Sequence, residues 1–119
     1  MPYALQRCEP EEINNVSPDR LYTFADYRTW PDEERWEIIR GKPYCMIPAP
    51  SLRHQMISAE LLTQIHNFLS GRDCRVLAAP LDVRLGRNAK KDEQITDVVQ
   101  PDILVVCDPD KLDEKGCKG

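Results

Sequence analysis

Apolar positions along this chain fall into short runs of two different periods, and the periods set the expected elements. Ile103-Leu104-Val105-Val106, with its lead-in Asp97-Val98-Val99-Gln100-Pro101-Asp102, is an aliphatic run bounded by turn signals. Such a run reads as a strand buried on both faces, expected here over Val98 to Val106. Leu81, Val83 and Leu85 alternate with Asp82 and Arg84, the period of a half-buried strand. Before it, Arg75-Val76-Leu77-Ala78-Ala79 reads as another strand, ended by Pro80. Ile57, Leu61, Ile65, Phe68 and Leu69 recur at helical spacing instead. They predict the longest helix, capped by Ser51 and closed by Ser70-Gly71.

Upstream the signals are shorter. Residues 1–20 are polar and punctuated by proline, which predicts a poorly ordered leader, with the folded part running over 21–119. Thr23 is placed as an N-cap with Asp26 as its capping-box acid, and Tyr22 and Tyr27 as the staple. Pro31 ends that short helix. Pro31-Asp32-Glu33-Glu34 then predicts a second one, with acids in its first turn, Trp36 and Ile39 on its apolar face and Gly41 as its stop. Lys42 to Ile47 reads as an edge strand because of Pro43, and Pro48-Ala49-Pro50 as a rigid break. Gly86 to Glu93 is a charged loop. Past Asp108-Pro109-Asp110 the sequence turns to Lys, Asp, Glu and Gly and predicts a flexible tail. The order helix, helix, strand, helix, strand, strand makes the class α/β: a small mixed β-sheet with one long helix packed on it.

Composition narrows the function classes. A formal net charge of −4 over 119 residues gives no general attraction to nucleic acid or anionic membrane. A basic DNA-binding module is thereby disfavoured. No apolar run approaches bilayer length and no signal pattern opens the chain, so a soluble, cytoplasmic protein without membrane association is expected. The five cysteines, Cys8, Cys45, Cys74, Cys107 and Cys117, contain no Cys-x-x-Cys pair. They are expected to be reduced, structural thiols. His54 and His66 are too far apart for an i,i+4 metal clamp.

Asp102 is the residue with most chemical promise. It stands at the mouth of the aliphatic run, behind a proline that cannot donate to a ladder. A carboxylate fixed there suits a divalent cation, which wants hard oxygen ligands in rigid geometry. A solvated turn acid is the other reading of the same residue. Glu37, between Arg35 and Arg40, also fits a surface ion pair, and His54 also fits a cap or packing residue. Trp30 and Trp36 read as core and interface anchors.

Four segments stand together: Arg35-Trp36-Glu37-Ile38-Ile39-Arg40-Gly41, Pro48-Ala49-Pro50-Ser51-Leu52-Arg53-His54-Gln55, Ala79-Pro80-Leu81-Asp82-Val83-Arg84-Leu85 and Val99-Gln100-Pro101-Asp102-Ile103-Leu104-Val105-Val106. In this order and at these separations they resemble the Uma2 family, whose fold is the restriction-endonuclease-like PD-(D/E)XK nuclease fold. The resemblance covers Leu21 to Gly116. It implies a metal-dependent DNA endonuclease in which acids hold Mg²⁺ or Mn²⁺, the metal polarises the phosphodiester, and a lysine steadies developing charge. Asp102 matches the family's first acid, Glu37 its acid on an early helix, and His54 a family histidine of undefined role. Both acids are therefore candidate catalytic and metal-binding residues.

The family pattern continues into a further strand bearing Glu and a helix bearing Lys, and the sequence stops at Gly116-Cys117-Lys118-Gly119, where that strand would begin. Lys111, Lys115 and Lys118 are expected in the flexible tail. The resemblance thus implies an incomplete, truncated active site, weak or absent cleavage by this chain, and a C-terminal strand-helix-strand part that is missing. The alternative function is non-catalytic. An aliphatic strand without a neighbour on its far side favours self-association by strand pairing, as a homodimer or larger assembly.

Overall fold

In the computed structural model, which describes residues 19–31, 34–46, 50–86 and 91–119, Trp36–Ile39 is a strand (β1). The expected second helix is therefore corrected, and Glu37 sits on β1. Trp36 and Ile38 are buried while Ile39 is exposed, a period of two. Glu34 does not open a helix; its carboxylate accepts the Trp36 indole N–H at 2.9 Å. β1 pairs antiparallel with β2 (Lys42–Cys45) through the closing pair Ile39–Lys42. Arg40 (φ 51°) and Gly41 (φ 79°) form the two-residue turn between them. Positive φ at both positions is what a type I′ hairpin turn demands, so Gly41 turns a hairpin rather than ending a helix.

The chain divides into two units, 1–49 with 84–99 and 50–83 with 100–119. The first is built on that hairpin. Helix α1 (Phe24–Tyr27) begins as expected, with the Thr23 N–H donating to the Asp26 carboxylate at 3.0 Å. Strand β5 (Val98–Val99) pairs antiparallel with β1 through Ile38–Val98, giving the order β2-β1-β5 with β2 at the edge, as Pro43 predicts. Tyr22, Phe24, Trp36, Ile38, Ile95 and Val98 form the core, with Tyr27, Trp30 and Cys45 packed against it. Trp30 meets the rings of Tyr22, Tyr27 and Trp36 at 5.5–5.6 Å, so both tryptophans are packing residues. Backbone bonds from Tyr22 to Gly41, Phe24 to Ile95 and Gly41 to Thr96 stitch the loops to this core.

The chain passes between units at β4 (Val83–Arg84). The expected alternation there is broken: Val83 and Arg84 are both buried and Leu85 is exposed. Arg84 is accommodated by its guanidinium lying 5.2 Å from the centre of the Phe24 ring.

In the second unit, helix α2 spans Leu52–Leu69, and Ser51 caps it by accepting the His54 N–H at 3.1 Å. Its half-buried side carries His54, Ser58, Leu62, Ile65 and Leu69. Of the predicted apolar face, Ile57, Leu61 and Phe68 are instead exposed. Strands β3 (Arg75–Ala78) and β6 (Ile103–Val106) pair antiparallel from Arg75–Val106 to Ala78–Ile103. The single buried strand expected over Val98 to Val106 is thus two strands, β5 and β6, in different units. Pro101 supplies no N–H at the break, and Val105 is 45% exposed, so β6 is not covered on both faces.

Two further expectations are corrected here. Cys74 and Cys107, flanking the β3–β6 ladder, form a disulfide, so the thiols are not all reduced. The tail is ordered as a hairpin of β7 (Leu112–Asp113) and β8 (Gly116–Lys118), with Cys117 buried. Asp108 and Asp113 accept the backbone N–H groups of Asp110 and Lys115, making local turns in a segment whose composition resembles disorder. Lys118 accordingly lies on β8, Lys115 in the hairpin turn and Lys111 in a 3₁₀ turn over Pro109–Lys111. The expected leader with its Cys8 (but for Asp19 and Arg20), Asp32-Glu33 of the expected second helix, Ile47 of the edge strand, the Pro48-Ala49 part of the rigid break and residues 87–90 of the charged loop lie outside the described residues. Among those described, no helix is long and apolar enough to cross a membrane.

Candidate functional site

Asp102 follows Pro101 and immediately precedes β6. Its backbone carbonyl accepts the Ala79 N–H at 3.1 Å, which extends the β3–β6 ladder by one pair and fixes where the side chain leaves the backbone. From the other side, the Ser51 cap fixes the first turn of α2, where His54 is the third residue. The two side chains meet. His54 Nε2 lies 3.1 Å from Asp102 Oδ2, while His54 Nδ1 lies 3.4 Å from Gln55 Oε1.

The chemistry of this pair follows from its donor and acceptor inventory. Against an ionised carboxylate, which only accepts, the tautomer that makes this bond is the one with the proton on Nε2. Asp102 Oδ1 accepts no hydrogen bond among the described residues, which leaves one carboxylate oxygen uncommitted. The side chains are 39% and 60% exposed. A pair so open to water contributes little to fold stability. One hard carboxylate oxygen suits Mg²⁺ or Mn²⁺ as part of a ligand set, since such ions keep several waters and are held by one or two carboxylates together with substrate phosphates. Among the described residues, no group of three or more His, Cys, Asp and Glu side chains gathers around a common point.

The structure therefore brings together two of the three residues that the sequence singles out. The third, Glu37, belongs to the first unit, on β1, where it is paired across the hairpin with Tyr44.

Sequence reasoning passes over a neighbouring contact. Gln100, 8% exposed, donates from Nε2 to Asp82 Oδ1 at 2.8 Å, and the Asp82 carbonyl accepts the Cys117 N–H at 2.9 Å. These bonds tie the segment before Pro101 to the C-terminal hairpin. A polar residue directly before an X-Pro turn is the available signal, but nothing in the spacing names its partner.

None of the curated proteins compared with the chain matches it. The model of the Uma2 family, described as "Putative restriction endonuclease", matches residues 24–118 and so takes in both acids and His54. The α/β class with one long helix is consistent with a restriction-endonuclease-like fold. With most of its length matched, the chain belongs to the Uma2 family.

Proposed function

We propose that the chain carries the metal-binding part of a DNA endonuclease site, with Asp102 as the carboxylate that holds Mg²⁺ or Mn²⁺. The observation that carries this reading is the oriented, solvent-open Asp102 carboxylate at the start of β6, with Oδ1 uncommitted. A divalent cation held there would supply Lewis-acid activation of a phosphodiester and a water nucleophile. Asp102 supplies the anionic ligand, and His54 holds its other oxygen. Glu37 is a candidate acid through its match to the family's early acid alone. One carboxylate fixes an octahedral ion less firmly than two, so the cleavage expected from this chain is slow and metal binding is the primary readout.

The test is Mn²⁺ titration followed by electron paramagnetic resonance, alongside nicking of supercoiled plasmid with Mg²⁺ or Mn²⁺. Asp102→Ala should abolish saturable binding and any nicking. Saturable binding unchanged in Asp102→Ala would overturn the reading.

A second, non-catalytic reading has an observation of its own. β6 belongs to a two-stranded sheet with β3, and among the described residues no strand pairs with its far edge. An aliphatic edge of this kind pairs readily with another copy. It predicts a homodimer or larger assembly whose apparent mass rises with concentration in light scattering. A constant monomer mass across roughly a hundredfold dilution would count against it, since mass action must shift any weak association over that range.

A further inference from the structure

We propose that His54 is a positioning residue for the Asp102 carboxylate, an inference that rests on the metal-binding reading above. The two backbones are pinned independently: the Ser51 cap holds the first turn of α2, and the Ala79–Asp102 bond holds the start of β6. Between these anchors the imidazole Nε2 reaches Oδ2 at 3.1 Å. An exposed carboxylate without such a partner samples several rotamers, and ordering it is a cost that falls on each binding event. A fixed Nε2–H donor removes that cost and leaves Oδ1 as the oxygen for the ion. This is the role that hydrogen-bonded partners of metal-binding carboxylates generally serve. His54 bears directly on which oxygen binds, yet it touches neither the metal nor the substrate.

Two competing roles for the pair make different demands. An ion pair kept for stability requires burial, and both partners are open to water. A His54 that ligates the metal through Nε2 would have to give up its bond to Asp102, and one that ligates through Nδ1 would make Asp102 the supporting partner instead of the ligand. Glutamine separates these cases, because its terminal amide nitrogen lies as many bonds from Cα as Nε2 does and still donates.

The experiment is Mn²⁺ binding to the full chain, for the wild type, Asp102→Ala, His54→Ala and His54→Gln, with thermal unfolding of each and ¹⁴N hyperfine spectroscopy of the bound ion. Asp102→Ala should lose saturable binding. His54→Ala should weaken binding about tenfold, the low end of the range for a ligand's supporting partner. His54→Gln should return most of that loss, with no directly coordinated ¹⁴N signal in the wild type and unfolding midpoints unchanged among the His54 variants. Wild-type affinity in His54→Ala, with binding still lost in Asp102→Ala, would overturn the positioning role and leave the metal-binding reading standing. Equal weakening in His54→Ala and His54→Gln, or a coordinated ¹⁴N signal, would also overturn it, making the ring indispensable or a ligand. Unchanged binding in Asp102→Ala would remove both readings together.

Discussion

Cys74 is bonded to Cys107 one residue beyond Arg75–Val106, the last registered pair of the β3–β6 ladder. The bond from Ala79 N–H to Asp102 O marks Ala79–Asp102 as a hydrogen-bonded pair. Antiparallel pairs alternate between bonded and non-bonded. Counting along the register places Cys74 opposite Cys107 at a non-bonded pair, where the backbones approach most closely, and their Cα atoms are 4.0 Å apart. The disulfide is therefore a consequence of the ladder's phase.

Closing a loop with a sequence separation of 33 restricts the unfolded chain. The double replacement Cys74→Ser with Cys107→Ser should lower the unfolding free energy by about 2–4 kcal/mol. Urea unfolding of this variant beside the wild type, both without reductant, measures it. An unmoved midpoint would mean that the bridge contributes nothing to the fold.

The C-terminal hairpin makes a second test. Gly116 has φ +120° and lies against the backbone of Asp82, so a Cβ there would run into the Asp82 carbonyl oxygen. That carbonyl already accepts the Cys117 N–H, and the Asp82 carboxylate accepts from Gln100. Gly116→Ala should therefore cost roughly 2–4 kcal/mol, combining backbone strain with a displaced contact. The expected signature is a lower unfolding midpoint together with faster amide exchange at Cys117. Wild-type stability would show that the hairpin does not dock on Asp82 in solution.

These contacts show why parts of the fold are legible in the sequence and others are not. Thr23 with Asp26, and Ser51 with the helix it opens, are local in sequence, and both helix starts fall where expected. The β1 segment misleads because Pro31-Asp32-Glu33-Glu34 and Gly41 imitate helix start and stop signals. The deciding feature is the alternation of Trp36 and Ile38 with Glu37 and Ile39. The tail misleads because its charged composition hides turns made by Asp108 and Asp113 and a bond from Cys117 to Asp82, far back in the chain. At the candidate site, Asp102 and His54 are each visible, but their 3.1 Å contact spans 48 residues and depends on where α2 and β6 begin.

The β1–β2 turn offers a stabilising change. Arg40 holds φ 51° despite its Cβ, while its N–H donates to Asp97 Oδ1 at 2.8 Å. Asn tolerates this conformation better and keeps the backbone donor. Arg40→Asn should raise stability by about 0.5–1 kcal/mol. Gly41→Ala should lower it, because a Cβ at φ 79° would come within 3.0 Å of the Leu21 Cβ. Thermal unfolding of both variants, expected to shift in opposite directions, checks the turn assignment.

The phase of the β3–β6 ladder also predicts how β6 responds to proline. With Ala79–Asp102 bonded, Leu104 and Val106 fall on bonded pairs, and Ile103 and Val105 fall on pairs whose N–H groups point away from β3. Leu104→Pro removes a ladder donor and should destabilise the chain by about 3 kcal/mol or more. Val105→Pro removes only an outward donor, on a residue already 45% exposed, and should cost clearly less. The same outward donor is the one that a second copy would need in order to add a strand. Val105→Pro should therefore leave a folded protein whose light-scattering mass no longer rises with concentration, whereas any association should persist in an exposed-helix control such as Phe68→Ser. Equal destabilisation by the two prolines would invert the assigned phase. Association surviving Val105→Pro would place the contact between copies somewhere other than the free edge of β6.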